Sequence, residues 1–162
     1  MASRDRATTA LLLALYDQAF DRRAWHGTPL AGALRGVSVA KALWRPRRGG
    51  HNVWEIVLHT AYWKYIVRRR LTRDVDARFP RRGSNWFALP ATSDARSWKL
   101  DLALLRNEHR LLRNAIARFP VARLTARAWH SKWTNVATIY GIASHDLYHA
   151  GQIQLLKRLQ KP

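Results

Sequence analysis

Three histidines have the residue type and spacing of a metal-binding set. His145 and His149 lie four residues apart in the apolar segment 139–156, and His59 lies in a second apolar segment upstream. Residues i and i+4 share one face of an α-helix, so two imidazoles can reach one ion there, and a facing helix can bring the third. The alternative is a hydrogen-bonded pair in the core, because an inward-facing polar ring without a partner is costly.

Two more residues share a helical face with His59. His51, Glu55 and His59 are spaced one turn apart. Glu55 is therefore a candidate further ligand, a partner that orients an imidazole, or a general base. The helix dipole alone also favours a carboxylate in a first turn. His51 precedes the helix, where it either joins the site or caps the helix.

The available donor atoms restrict the metal. The chain has no cysteine, which excludes disulfides, thiolate ligands and a cysteine nucleophile. Nitrogen-rich ligation suits Zn, Ni, Fe or Cu better than Mg or Ca. Three histidines with an open coordination position describe a catalytic type of site, in which a bound water is activated or a substrate atom is polarised.

Four long segments must position these side chains. Apolar residues recur at steps of three and four in segments 4–22, 52–71, 98–119 and 134–159, which is the pattern of amphipathic helices. Asn52 and Thr134 are predicted N-caps, and Pro120 is predicted to end the third helix. His109, in the third segment, is predicted to be a core histidine.

Shorter elements and connections complete the predicted fold. Short helical turns are predicted at 29–34 and 38–43, and 73–92 is a long connection that carries Trp86 and Phe87. No segment has the pattern of a β-sheet. We therefore expect an all-α fold, a four-helix bundle with long connections, forming a single domain over 1–162. Such bundles build metal sites from side chains on facing helices.

The charge of the chain is strongly positive. It has 29 Lys and Arg against 10 Asp and Glu, a net charge of +19. Such a field attracts polyanions, but the basic residues are spread over many clusters, including 45–48, 68–70 and 106–113. Binding to nucleic acid is therefore expected to be non-specific. No segment approaches the roughly 18 consecutive apolar residues of a membrane span, so we expect no membrane partner and a cytoplasmic location.

Two segments resemble the metal-site helices of a known family. They are His51–Trp63, HNVWEIVLHTAYW, and Ser144–Ile153, SHDLYHAGQI. Together with NWFALP at 85–90 and Trp98, they resemble the DinB-like superfamily, including its YfiT-like metal-dependent hydrolases.

The resemblance implies an up-down-down-up four-helix bundle, often a homodimer, with a divalent ion held by His59, His145 and His149. Some relatives are thiol-dependent transferases or isomerases that use low-molecular-weight thiols, and others are described as hydrolases. We therefore expect a metal-binding protein with Zn, Ni or Fe that acts on a small molecule, with Glu55 or His51 moving protons. A non-catalytic, metal-stabilised or ligand-sensing bundle is the alternative, and a basic nucleic-acid-binding domain is a third.

The segment around His149 carries further predictions. Gln152 is expected either to hydrogen-bond a ligand or to tie two helices together. Gly151 is expected to let a neighbouring helix approach closely. Tyr148 is predicted to pack, and Asp146 to cap or to orient a ligand.

Overall fold

The computed structural model describes residues 2–46 and 49–160, so Arg47 and Arg48 of the basic cluster and both chain ends lie outside the described residues. Within them the chain forms helices and no strand. The helices are α1 (Ala2–Phe20), α2 (Leu30–Ala33), α3 (Val39–Leu43), α4 (Val53–Thr72), α5 (Ala95–Ala117) and α6 (Asn135–Leu159), with a 3-10 turn at Val121–Arg123. The predicted all-α class is confirmed. None of the described helices is both long enough and apolar enough to span a bilayer.

Side-chain caps set the starts of the helices that carry the site. The Asn52 side chain accepts from the Glu55 backbone N–H at 2.9 Å, and the Glu55 carboxylate accepts from the Asn52 N–H at 3.0 Å, which forms a capping box. Thr134 caps α6 through the Ala137 N–H. Both predicted N-caps are confirmed, because this signal depends on residues only three positions apart.

The four long helices pack around two apolar clusters. α4 packs against α5 and α6, and α1 packs against the same two helices. Trp54 contacts Trp98 near the start of both helices, and Arg68 pairs with Glu108 further along, so α4 and α5 run in the same direction. The packing of α4 against α6 brings His59 close to His145 and His149.

A buried ion pair crosses from α4 to α6. Lys64 and Asp146 are both fully buried and pair directly, and Lys64 Nζ lies 3.4 Å from the Tyr16 hydroxyl. Burial lowers the pKa of Lys64, and the Asp146 carboxylate opposes this shift. Burial raises the pKa of Asp146 to about 6, against the effect of Lys64. Asp146 is thus a core partner of lysine, a role that its position beside His145 does not reveal.

His109 lies in the core, as predicted. Its ring is stacked between Tyr16 and Phe20, with ring centroids 4.4 and 3.8 Å away. Burial, and to a smaller extent the nearby cations Lys64 and Arg113, lower its pKa to about 2. The imidazole is therefore neutral and acts as an aromatic spacer between α1 and α5.

Candidate metal centre

The structure brings the three predicted histidines together at the face between α4 and α6. His145 Nε2 lies 3.0 Å from His59 Nε2 and 3.1 Å from His149 Nε2. His59 and His149 are buried, and His145 is half-buried. The three residues form a group able to hold a metal ion, with one ligand atom from each. Their convergence depends on two helices that are far apart in sequence.

Two of the three rings have a fixed orientation. His59 Nδ1 lies 3.0 Å from the Asn85 carbonyl oxygen, and His149 Nδ1 lies 2.7 Å from Gln152 Oε1. Both partners are acceptors, so each Nδ1 donates its proton and each Nε2 keeps its lone pair for the centre. His145 Nδ1 is buried and has no partner among the described residues.

The donor set fits a divalent transition metal. Two unprotonated Nε2 atoms face a third nitrogen at about 3 Å, an arrangement that needs a shared proton or a cation between the rings. Zn–N bonds of about 2.0–2.1 Å in a tetrahedral site separate ligand nitrogens by about 3.3 Å. The two separations from His145 Nε2, 3.0 and 3.1 Å, are a few tenths of an ångström shorter than this value, and all three ligand atoms lie within 4.8 Å of one another.

The protonation state of the three rings is also compatible with metal binding. Burial is the largest cause that lowers the pKa of all three imidazoles. Together with the neighbouring imidazoles, it brings the pKa to about 3 at His145 and to about 4 at His149. Neutral rings are the form that binds metal, so at neutral pH the site requires no deprotonation before binding.

An open cavity of about 510 Å³ leads to the triad. It is lined by the three histidines together with His51, Trp86, Tyr148 and Gln152 and by apolar residues of α4 and α6. A volume of this size is typical of small-molecule sites. The triad thus lies at the wall of a cavity that a substrate can enter.

Trp86 joins the triad to His51. Its indole stacks on His59 at a centroid distance of 3.9 Å and on His51 at 3.4 Å. Asn85 precedes it with φ of 61°, a left-handed conformation that asparagine tolerates. The Asn85 carbonyl accepts from His59, and its side chain accepts from Trp63 Nε1 at 2.9 Å. The connection between α4 and α5 therefore supplies one wall of the site.

Glu55 is not part of the three-residue group that could hold a metal ion, and other partners hold its carboxylate. Its carboxylate accepts from the Asn52 N–H and from Arg45, and one oxygen lies 3.3 Å from His51 Nδ1. Partial burial raises the pKa of Glu55, but the hydrogen bonds from Arg45 and Asn52 outweigh this effect and lower it. Glu55 is therefore a tightly held carboxylate that contacts His51, and His51 in turn lines the cavity.

The segment around His149 differs from the sequence predictions at two positions. A Cβ atom added at Gly151 would meet no atom of the described residues within 4 Å, so the predicted close approach of another helix is wrong. Tyr148 is 63% exposed and does not pack in the core; its hydroxyl accepts from Gln152 Nε2 at 3.0 Å. Gln152 accepts a hydrogen bond from His149 and orients its ring. Both errors arose because helical spacing shows which residues share a face and not which faces meet another element.

Sequence reasoning assigned no role at the site to Asn85, Trp86 or Arg45. The run from Asn85 to Trp86 carried a weak signal, because aromatic residues concentrated in a long connection indicate an ordered, functional loop. Nothing in the sequence indicated a role for Arg45, because its pairing with Glu55 depends on how the chain before α4 folds back.

Comparison with known proteins gives one family. A family model described as the DinB superfamily matches residues 21–153, which include all three histidines of the triad and most of the chain. Searches of curated proteins and of solved structures give no significant match.

Proposed function

This chain belongs to the DinB superfamily, and we propose that it is a metal-dependent enzyme acting on a small molecule, with a divalent ion held by His59, His145 and His149. One observation carries the proposal: three neutral imidazoles converge through Nε2 at the wall of an open cavity. Structural metal sites are usually closed by four protein ligands. A three-nitrogen set beside a cavity supports a position open to water or substrate, and Zn, Ni and Fe are the ions that suit it.

The proposed reaction is hydrolysis or a thiol-dependent transfer in which a low-molecular-weight thiol is the second reactant. The bound ion would supply a Lewis acid that lowers the pKa of a water or thiol and polarises a substrate oxygen. The chain's own residues bind and orient: Asn85 and Gln152 fix the tautomers of His59 and His149. Their lone pairs thereby remain directed at the centre.

His51 is the residue that we propose moves protons. Its Nδ1 faces the Glu55 carboxylate, so its Nε2 is free to accept a proton from a group in the cavity. Its side chain is 44% exposed, which allows exchange of that proton with solvent. Glu55, itself held by Arg45, is a positioning residue that fixes the ring of His51.

Metal analysis tests the ligand assignment. We expect the protein, purified without a histidine tag, to contain close to one transition-metal ion per chain, and the His145→Ala/His149→Ala variant to contain almost none. His26→Ala is the matched control, because His26 is exposed and lies outside the triad. Circular dichroism verifies that each variant is folded. Full metal content in the double variant would overturn the assignment.

A substrate screen tests the catalytic part of the proposal. The metal-loaded protein is offered esters, amides, and electrophiles with a small thiol, and His51→Gln is assayed beside it over a range of pH. We expect turnover that is lost in the double variant and a pH profile that changes in His51→Gln. Absence of turnover, together with a large fall in melting temperature on chelation, would instead favour a non-catalytic, metal-stabilised bundle.

A further inference from the structure

A second cavity also reaches the triad at His145. It has a volume of about 360 Å³ and lies between α4 and the first half of α6. His145 lines both this cavity and the larger one that contains His59 and His149. A molecule in the second cavity would therefore lie against one edge of the candidate metal centre.

The walls of this cavity are mainly aromatic and apolar. Trp63 and Val67 come from α4, Trp133 precedes α6, and Tyr140 and Ile142 come from α6. Trp133 is 58% exposed and Tyr140 is 50% exposed. Large aromatic rings that line a concave surface and remain exposed are typical of binding sites.

One wall is already fixed before a ligand arrives. Trp63 Nε1 donates to Asn85 Oδ1 at 2.9 Å, and Asn85 also holds His59 through its carbonyl oxygen. The indole and the triad therefore share one support. A preorganised aromatic wall lowers the entropic cost of binding a flat ligand.

Arg70 is the charged residue of the lining. It is half-buried and takes part in none of the ion pairs formed by the described residues. Arg68, two positions earlier, pairs with Glu108. Burial lowers the pKa of Arg70, since water no longer solvates the guanidinium fully. A half-buried guanidinium beside an apolar wall suits a carboxylate, which it can bind through two parallel hydrogen bonds.

We propose that this cavity binds the non-reacting part of the substrate, an aromatic group that carries one carboxylate, with Arg70 holding the carboxylate and Trp63, Trp133 and Tyr140 holding the ring. The inference rests on the proposed function only where it calls the ligand a substrate. The cavity and its charge are independent of any metal.

Calorimetric titration of the metal-free protein with 2-naphthoate tests the proposal, because no ion is then present to bind the carboxylate. The neutral analogue 2-naphthalenemethanol measures the apolar contribution alone. We expect saturable binding of 2-naphthoate, about 10- to 100-fold weaker in Arg70→Gln, as for loss of a charged hydrogen bond. Binding of the neutral analogue should be nearly unchanged in that variant.

Two further variants separate the site from general effects. Arg106→Gln removes the same charge from an exposed arginine on α5 and should leave the affinity unchanged. Trp133→Ala, at an exposed position, should weaken the binding of both 2-naphthoate and the neutral analogue. Equal affinity of Arg70→Gln and Arg106→Gln, or no saturable binding by the folded protein, would overturn the proposal.

The two proposals fail separately. If binding depends on Arg70 but the protein never acquires metal, the proposed binding site stands and the proposed metal-dependent activity is wrong. If the protein contains stoichiometric metal and turns over substrate but binding does not depend on Arg70, the proposed enzyme stands and the proposed binding site is wrong.

Discussion

Replacing Lys64 by methionine should destabilise the protein strongly, and replacing its partner as well should restore most of the loss. Lys64 and Asp146 are both 0% exposed and pair directly across α4 and α6. Removing the ammonium leaves a carboxylate in the core with no cation, and one of its oxygens, Oδ1, already has no partner among the described residues. Breaking such a buried pair costs about 3–5 kcal/mol.

The size of the effect makes it measurable. For a domain of this size, about 1 kcal/mol corresponds to a change of roughly 2–4 °C in melting temperature, so Lys64→Met should lower it by roughly 6–20 °C. In Lys64→Met/Asp146→Leu no charge is buried, and the free energy of unfolding should return to within about 1–2 kcal/mol of the original, or exceed it.

Urea unfolding followed by circular dichroism gives the free energies for the single and double variants. The difference in stability between Lys64→Met and the unchanged protein should become smaller at lower pH, because the unpaired carboxylate then becomes protonated. The metal content of the double variant shows whether the ion pair also affects the metal site, since Asp146 is adjacent to His145. A loss below about 1 kcal/mol in Lys64→Met, or a double variant as unstable as the single one, would show that the pair is not a desolvated ion pair.

Two further predictions concern the triad and its helix. Without metal, stability should fall as the pH falls from about 6.5 to about 4, because the lowered pKa values of His145 and His149 mean that the unfolded chain takes up protons first. At about 1.4 kcal/mol per pKa unit for each ring, and allowing for their partial exposure to solvent, the two rings together should contribute a loss of roughly 3–6 kcal/mol by chemical denaturation. A His145→Ala/His149→Ala variant with an equally steep pH dependence would contradict this prediction. Gly151→Ala should raise the free energy of unfolding by up to about 1 kcal/mol with unchanged metal content, since within the described part of the chain the added Cβ would meet no atom within 4 Å. Thermal unfolding checks this, and destabilisation would mean that another element packs there.

The helices and the triad could be predicted because their signals are local. The apolar period of α4 and α6 and the caps at Asn52 and Thr134 involve residues within one or two turns of each other. The spacing of His145 and His149 likewise fixes a shared face whatever the fold. The predicted α1 was displaced by two residues, since nothing in its sequence marks either end sharply.

The immediate surroundings of the triad could be predicted only in part. Glu55 was correctly placed one turn from His59, but its pairing with Arg45 depends on a chain reversal before α4. Trp86 stacks on two histidines because the long connection folds back over α4. Neither contact has a periodic signature, because loop residues pack according to the elements that they cover.

The sequence by itself determined the helical class, the family and the three histidines, because helix periodicity, capping and ligand spacing depend on near neighbours along the chain. Only the tertiary structure showed that Lys64 lies in the core with Asp146, that no described residue of another helix would contact a Cβ added at Gly151, and that His145 lines two cavities. Burial and partner choice depend on which helix faces meet. The packing of the whole chain decides which faces meet. The charge of a buried lysine must be compensated, and here a carboxylate on another helix compensates it.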